Sequence, residues 1–389
     1  MDTHLKICWL SDMDLQGSGY FNISVPLCNG LTNKGHDVKA VGLGYKGNEH
    51  NNNFGIIPAV NVREALAVLQ NLSLLWKFDI LVVALDITLQ EAILKTISNR
   101  VFGYIGIMAI ESDPLCMSWA MVLMQMDKAF IISQFGTDEA KKMNIEAEHL
   151  QIGVDTELWR MPTIEEKQSL RKSYGIEKDT FVVLTVADNQ ERKNLSRSMQ
   201  IFAGFTKKVP NAKYILVTRE NAYVGWKLRD LAQVLKINDK LNIYERGISF
   251  QELWSLYAMS DAFLLTSKAE GLGMPLLEAM AMGIPCLATN CTAIAEVLAD
   301  GRGILIDHEH ASHPEFLYID PFGNGNRYFA DLKDGTKKLI DLFVSPHSEM
   351  VKKAREYIEA RDWSITVAQM EKAALAARRE PIVQKTPEN

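Results

Sequence analysis

The chain reads as an α/β protein built from two doubly wound halves, and three observations predict this. Short apolar runs of strand length alternate with helical patterns along the whole sequence, the arrangement that gives parallel sheets covered by helices on both faces. The alternation pauses after residue 155, crosses a charged, proline-bearing run from Thr156 to Lys178 that reads as a linker, and restarts at Thr180. At 389 residues the chain also exceeds the size at which a single core stops growing.

In the first half, Leu5 to Leu10 is a buried strand. It is followed by a loop carrying Gly17-Ser18-Gly19 and a helix to about Lys34. Strand, glycine loop and helix make a nucleotide-fold beginning, although a plain tight turn explains the glycines equally well. Asp37 to Leu43 is a strand, Gly47 to Asn53 a surface loop, Val62 to Leu75 a helix and Asp79 to Ala84 a strand. A helix from Thr88 to Ser98 and strands at Val101 to Ala109 and Lys128 to Ser133 follow, with Phe135 to Met143 helical. In the second half, strands at Thr180 to Ala187, Ala212 to Thr218 and Leu241 to Glu245 alternate with helices at Leu195 to Lys208, Val224 to Leu235 and Phe250 to Met259.

The most informative stretch is Ser267 to Ile284, which follows the apolar run Asp261 to Thr266 and reads as glycine-rich turn, then helix. Pro275 suits the first helical position and Gly283 the residue just past the end. Glu270 falls in the turn and Glu278 in the first helical turn, on the rim where open α/β sheets take ligands. The N–H groups of Gly271, Leu272, Gly273 and Met274 point out of the helix start and favour a phosphate. Carboxylates nearby accept hydrogen bonds from sugar hydroxyls.

Glu270-Gly-Leu-Gly-Met-Pro-Leu-Leu-Glu278, with Ala279, Gly283 and Pro285 behind it, resembles the E-x7-E signature of the retaining GT-B glycosyltransferases of family 4, the glycosyl transferases group 1. The resemblance implies the GT-B fold, two Rossmann-like domains facing across a cleft. It implies that the first acid contacts the donor sugar and the second the nucleotide ribose, roles carried to Glu270 and Glu278. A basic pair before a helix holds the donor diphosphate in that family, and Arg192, Lys193 and Asn194 match it. Cations at a helix start stand against the macrodipole, which itself suggests an anion between them. Fixed cations also stabilise the charge thrown onto a departing diphosphate. The loop Gly17-Ser18-Gly19 faces that diphosphate across the cleft in the family.

Two places depart from the family. Many members carry a histidine after the strand that ends at Ala109; here the polar groups are Glu111, Ser112 and Asp113. A carboxylate there is placed to orient or deprotonate an acceptor hydroxyl, while Ser-Asp-Pro is also turn chemistry. The turn Asn290-Cys-Thr-Ala stands where two glycines are usual.

The domain division implied is residues 1–155 for the acceptor side, 156–345 for the nucleotide sugar and 346–389 for terminal helices packing back on the first domain. Strands at Pro285 to Thr289 and Gly303 to Ile306 bracket a helix at Thr292 to Ala299. Pro321 to Asn326 reads as a surface loop, and Phe329 to Phe343, Glu349 to Ile358 and Trp363 to Ala377 as helices. His308, His310 and His313 lack matching carboxylates and read as loop residues rather than a metal site.

Composition agrees with a globular protein having ample core: 47% apolar and 23% charged residues. A net charge of −6 argues against a nucleic-acid backbone as main partner. Five scattered cysteines, the absence of a signal-like start and the lack of any apolar run of ~20 residues lead to the expectation of a cytoplasmic protein without a transmembrane segment, peripheral membrane contact staying open.

The expected activity is transfer of a sugar, with retention, from a nucleotide-diphosphate sugar to an acceptor hydroxyl. The donor is a substrate, no separate cofactor is expected, and no metal is needed if Arg192 and Lys193 carry the charge. The acceptor is open among sugar, lipid, protein, small molecule and modified nucleic acid. A GT-B-like epimerase and an idle nucleotide-sugar-binding partner are the alternatives.

Overall fold

The apolar runs of the first half form seven strands: β1 (Lys6–Asp12), β2 (Asp37–Leu43), β3 (Gly55–Ala59), β4 (Ile80–Ala84), β5 (Gly103–Met108), β6 (Lys128–Ile131) and β7 (Glu148–His149). The computed structural model describes residues 4–14, 18–97, 100–309, 317–320 and 323–379. The first sheet is parallel throughout, in the order β3-β2-β1-β4-β5-β6-β7. Helices cover both faces, so β1 buries every residue between its ends instead of alternating.

The second half repeats the plan with β8 (Phe181–Val186), β9 (Ala212–Thr218), β10 (Leu241–Glu245), β11 (Ala262–Leu265), β12 (Cys286–Thr289) and β13 (Ile304–Ile306). These too are parallel, in the order β10-β9-β8-β11-β12-β13. In each sheet the order reverses beside the first strand, between β1 and β4 and between β8 and β11. The crevices beyond the carboxyl ends of those strands are where such sheets take ligands.

Several elements differ from the sequence reading. The strand β3 was not expected beyond the polar loop; its Pro58 is tolerated because β3 is the sheet edge, where one ladder side is unused. Met117–Leu123 is an additional helix whose apolar period is blurred by the exposed side chains of Met117 and Met121. The linker expected from Thr156 to Lys178 contains the helix Ile164–Ser173, started by a capping box between Thr163 and Glu166. Arg171 anchors that helix by donating to the Met259 carbonyl at 2.8 Å, and its guanidinium also pairs with Asp261.

The helix expected at Val224 to Leu235 begins only at Leu228, because the preceding loop is held by Asn189, which exchanges hydrogen bonds with the Trp226 backbone. Of the loop expected from Pro321 to Asn326, Gly323–Asn326 instead pairs as a strand with Leu317–Asp320, and residues 321–322 lie outside the described residues. Phe329–Ala330 pairs with His308–Glu309, so the next helix starts at Leu332, capped by Asp331. Of the histidine cluster, His308 lies in that short pairing, and His310 and His313 lie outside the described residues.

The chain's last described helix, Trp363–Ala377, packs along Gly19–Asn33 in the first half, where Gly30 leaves no room for a Cβ beside Val367. The helix before it, Ser348–Glu359, packs on Met274–Ala281 in the second half. Among the described residues no helix is long and apolar enough to cross a membrane.

Candidate functional site

The carboxyl ends of β8 and β11 carry the two motifs singled out in the sequence. After β8 the chain makes a single 3-10 turn, Glu191–Lys193, and Asn194 then takes a left-handed conformation before the helix Leu195–Thr206. Asparagine tolerates that conformation better than most residues. The turn is tied to the opposite motif by the Lys268 amide, which donates to the Arg192 carbonyl at 2.8 Å, and by the Thr266 hydroxyl, which donates to the Asn194 carbonyl at 2.9 Å. These backbone ties bring side chains distant in sequence onto one point.

At that point Arg192 donates to the Glu270 carboxylate at 2.9 Å and to the Ala269 carbonyl at 2.6 Å, and Lys193 donates to the same carboxylate at 2.5 Å. Ser267 adds a third hydrogen bond at 2.6 Å. Burial alone would raise the Glu270 carboxyl, but Lys193 and Arg192 outweigh it and hold the group at about 2. Arg192 also faces Glu111 from across the cleft, at 3.9 Å. Glu111 is buried, and burial, with Asp86 and Glu270 beside it, pushes its carboxyl up to about 7 despite Arg192.

Glu270 is further fixed through its backbone. Its amide donates to the Thr292 hydroxyl at 2.8 Å, and that hydroxyl donates to the Glu270 carbonyl at 2.9 Å. Thr292 has φ +39°, the left-handed region a β-branched residue rarely enters, and it lies in the turn where the resembling family has glycines. The two hydrogen bonds offset that strain.

Gly271 explains its own identity: a Cβ there would stand 2.5 Å from the Ala109 Cβ at the end of the first sheet. The signature turn therefore touches the other half of the molecule. Gly273 has φ +85° and immediately precedes the helix Met274–Ala281, while Leu272 is buried in the core rather than turned to the site. Pro275 is the second helical residue rather than the first.

Glu278 corrects the sequence reading. It lies in the second turn of its helix, not the first, and no acid occupies the first turn. Its carboxylate is buried and accepts a hydrogen bond from the Tyr257 hydroxyl at 2.7 Å. Burial pushes its carboxyl up to about 7, with Tyr257 opposing.

On the first half, Ser18 accepts from the Phe21 amide at 3.2 Å and so caps the helix that begins at Gly19; Gly17 lies outside the described residues. Tyr20 and Asp86, which the sequence reading passed over, belong to the site. The Tyr20 hydroxyl donates to Asp86 at 3.0 Å and accepts from the Ala109 amide at 3.1 Å. The available signal was position: Asp86 follows β4, at the reversal point of the first sheet.

Lys268 and Arg327 were missed as well. Both are buried, Lys268 pairs with Glu191, and burial and Arg327 together push the Lys268 ammonium down to about 8. Among the described residues no group of three or more His, Cys, Asp or Glu side chains is arranged to hold a metal. The arrangement is thus a set of cations around Glu270 on the second half, facing Glu111 on the first, with Asp86 and Tyr20 beside it.

Comparison with known proteins gives a consistent picture. Residues 166–313 match the family described as glycosyl transferases group 1. N-acetyl-alpha-D-glucosaminyl L-malate synthase of Bacillus anthracis is 33% identical over 132 residues, 34% of this chain and 33% of that protein. A GDP-mannose-dependent alpha-(1-6)-phosphatidylinositol monomannoside mannosyltransferase of Mycolicibacterium smegmatis is 29% identical over 168 residues, 41% of this chain and 43% of that protein. The chain thus spans less than half the length of these curated relatives. Sucrose-phosphate synthase from Thermosynechococcus elongatus superposes with a TM-score of 0.74 at 15% identity, over 95% of this chain and 98% of that one. Anabaena Alr3699/HepE in complex with UDP and glucose superposes with a TM-score of 0.73 at 15% identity, over 96% and 100%. These superpositions show the fold: it is GT-B.

Proposed function

We propose that this chain, which belongs to the glycosyl transferases group 1 family through residues 166–313, moves a sugar from a nucleotide-diphosphate donor to an acceptor hydroxyl with retention of anomeric configuration. The observation that carries the reading is the meeting of Arg192, Lys193 and Glu270 opposite Glu111, four side chains drawn from both halves onto one cleft. Relatives named as using or binding nucleotide sugars support it.

In this reading the donor diphosphate takes over Arg192 and Lys193 and frees the Glu270 carboxylate to accept hydrogen bonds from the sugar hydroxyls. The bond from anomeric carbon to phosphate breaks, its electron pair leaves with the diphosphate, and the two cations stabilise that charge most in the transition state. The acceptor oxygen bonds to the anomeric carbon and its proton passes to Glu111, whose carboxyl at about 7 is matched to work near neutrality. Gly271, Leu272 and Gly273 let the backbone approach the donor, Ser18 and Gly19 at the start of the first helix face the diphosphate, and Glu278 holds the ribose. Residues 1–155 supply the acceptor side, and closure of the cleft excludes water.

A thermal-shift screen of nucleoside diphosphates and their sugars tests this, since a ligand at 100 times its Kd stabilises by about 2.7 kcal/mol. Uridine and guanosine donors are both included. A cognate donor raises Tm, releases its nucleoside diphosphate on turnover and gives a product of unchanged anomeric configuration by NMR. Replacing Arg192 and Lys193 together by Gln slows turnover far more than it weakens nucleoside monophosphate binding. If no nucleotide shifts Tm and none is released from any sugar donor, the reading fails.

A further inference from the structure

Arg327 lies beyond the segment that matches the family, in the stretch that follows the hairpin Leu317–Asp320 and Gly323–Asn326. Its two neighbours are each tied to a different half of the molecule. The Asn326 amide donates to the Asp113 carbonyl at 2.8 Å, two positions after Glu111; the Tyr328 amide donates to the Lys268 carbonyl at 2.9 Å, two positions before Glu270. The Tyr328 hydroxyl also bonds to the Asp113 carboxylate, and Gly325, at φ +113°, passes so close to Asp113 that a Cβ would meet its amide at 2.7 Å. Arg327 is therefore suspended between the two acid-bearing turns, and it is only 2% exposed.

We propose that Arg327 is a positioning residue for Glu111, held between the halves by its two neighbours, and that it governs how Glu111 receives the acceptor hydroxyl. This rests on the reading of Glu111 as the acceptor-side carboxylate. A buried guanidinium must be compensated by anions, and a carboxylate facing two cations keeps one orientation where a carboxylate facing one does not. The charged and titratable groups that act on Glu111 come from each surrounding element: Arg192 and Lys193 before the helix Leu195–Thr206, Glu270 in the signature turn, Asp86 after β4, Tyr20 at the first helix and Arg327 from the bridge. Burial pushes the Glu111 carboxyl up most; Arg192 pulls it down, Asp86 and Glu270 push it up further, and Arg327 adds the last downward pull.

The test is a carbon-13 titration of glutamate side chains in the full chain, with Glu111→Gln identifying the Glu111 signal. The wild-type midpoint is expected at about 7. In Arg327→Met it rises, because a positive charge acting on the carboxylate is lost, while Arg327→Lys leaves it in place. Turnover at pH 7 falls in the Met variant with donor KM unchanged. Arg327→Gln reads the same midpoint should the Met variant not fold. An unmoved midpoint in a neutral variant overturns the proposal, and so does an equal shift in the Lys variant, which means packing and not charge. Should wild type release nucleoside diphosphate from no sugar donor, the functional reading fails; the Glu111 midpoint needs no turnover and still decides this inference.

Discussion

Glu270 and Glu278 share one signature and sit in opposite electrostatic surroundings, which separates their contributions to stability by pH. Glu270, held at about 2 by Lys193 and Arg192 against burial, contributes stability above about pH 4.5 that is lost as pH falls through about 2. Glu278, pushed up to about 7 by burial, contributes stability below about pH 4.5 that is lost as pH rises through about 7. Glu278→Gln keeps an acceptor for Tyr257 and removes the titration. Its urea-unfolding stability should change less between pH 5 and pH 8 than that of wild type, by about 1–3 kcal/mol. Glu111 titrates in both proteins, so the difference isolates Glu278; equal pH slopes would refute the assignment. The spacing of these acids was legible in the sequence. Their partners were not: Arg192 and Glu270 meet across 78 positions, and Glu278 accepts from Tyr257, whose side chain reaches it from another helix. Thr292 was visible only as a departure from a glycine-bearing turn, and its left-handed backbone shows what that departure costs.

Elements with a strong period were readable to their ends. The helices Val62–Leu75, Phe250–Met259 and Trp363–Ala377 fall where the apolar spacing puts them, because one face of each meets the core. The hairpin before Arg327 was not readable, since glycine-rich sequence carries no side-chain period for pairing to betray. The signature turn has its own constraint as an element. Gly271 lets it touch the end of β5, and Glu296, on the helix Thr292–Val297, reaches the first half by accepting from the Gln134 and Phe135 amides at 3.1 and 2.5 Å. Gly271→Ala should fold with Tm within a few degrees of wild type, because the added methyl acts between the halves. Turnover should fall about 100-fold, the effect of roughly 1 Å of misplacement between reacting groups, with nucleotide affinity nearly unchanged. Steady-state kinetics beside a nucleotide titration checks this; unaltered turnover would mean that contact at Ala109 is not needed for reaction.

At the scale of the molecule, the halves are joined by more than the cleft. Trp363–Ala377 starts after helices of the second half and ends on the first, burying Val367, Met370, Ala373 and Ala374. Ending the chain before Trp363 would expose the face of Gly19–Asn33 around Gly30, which packs on Val367, at a cost of several kcal/mol by about 25 cal/mol per Å² of apolar surface. The first half should then unfold at lower denaturant while the second keeps its transition, giving two steps by calorimetry where the intact chain gives one; a single unshifted transition would show that the helix is dispensable. The sequence by itself determined the doubly wound plan, the signature turn and the basic pair, because strand and helix periods and capping chemistry are local properties of the chain. Only the tertiary structure decided that Glu270 neutralises Arg192 and Lys193, that Glu278 pairs with Tyr257, and that Tyr20, Asp86, Lys268 and Arg327 share the site. Those are contacts between residues remote in sequence, set by which strand ends and loops the two sheets bring together.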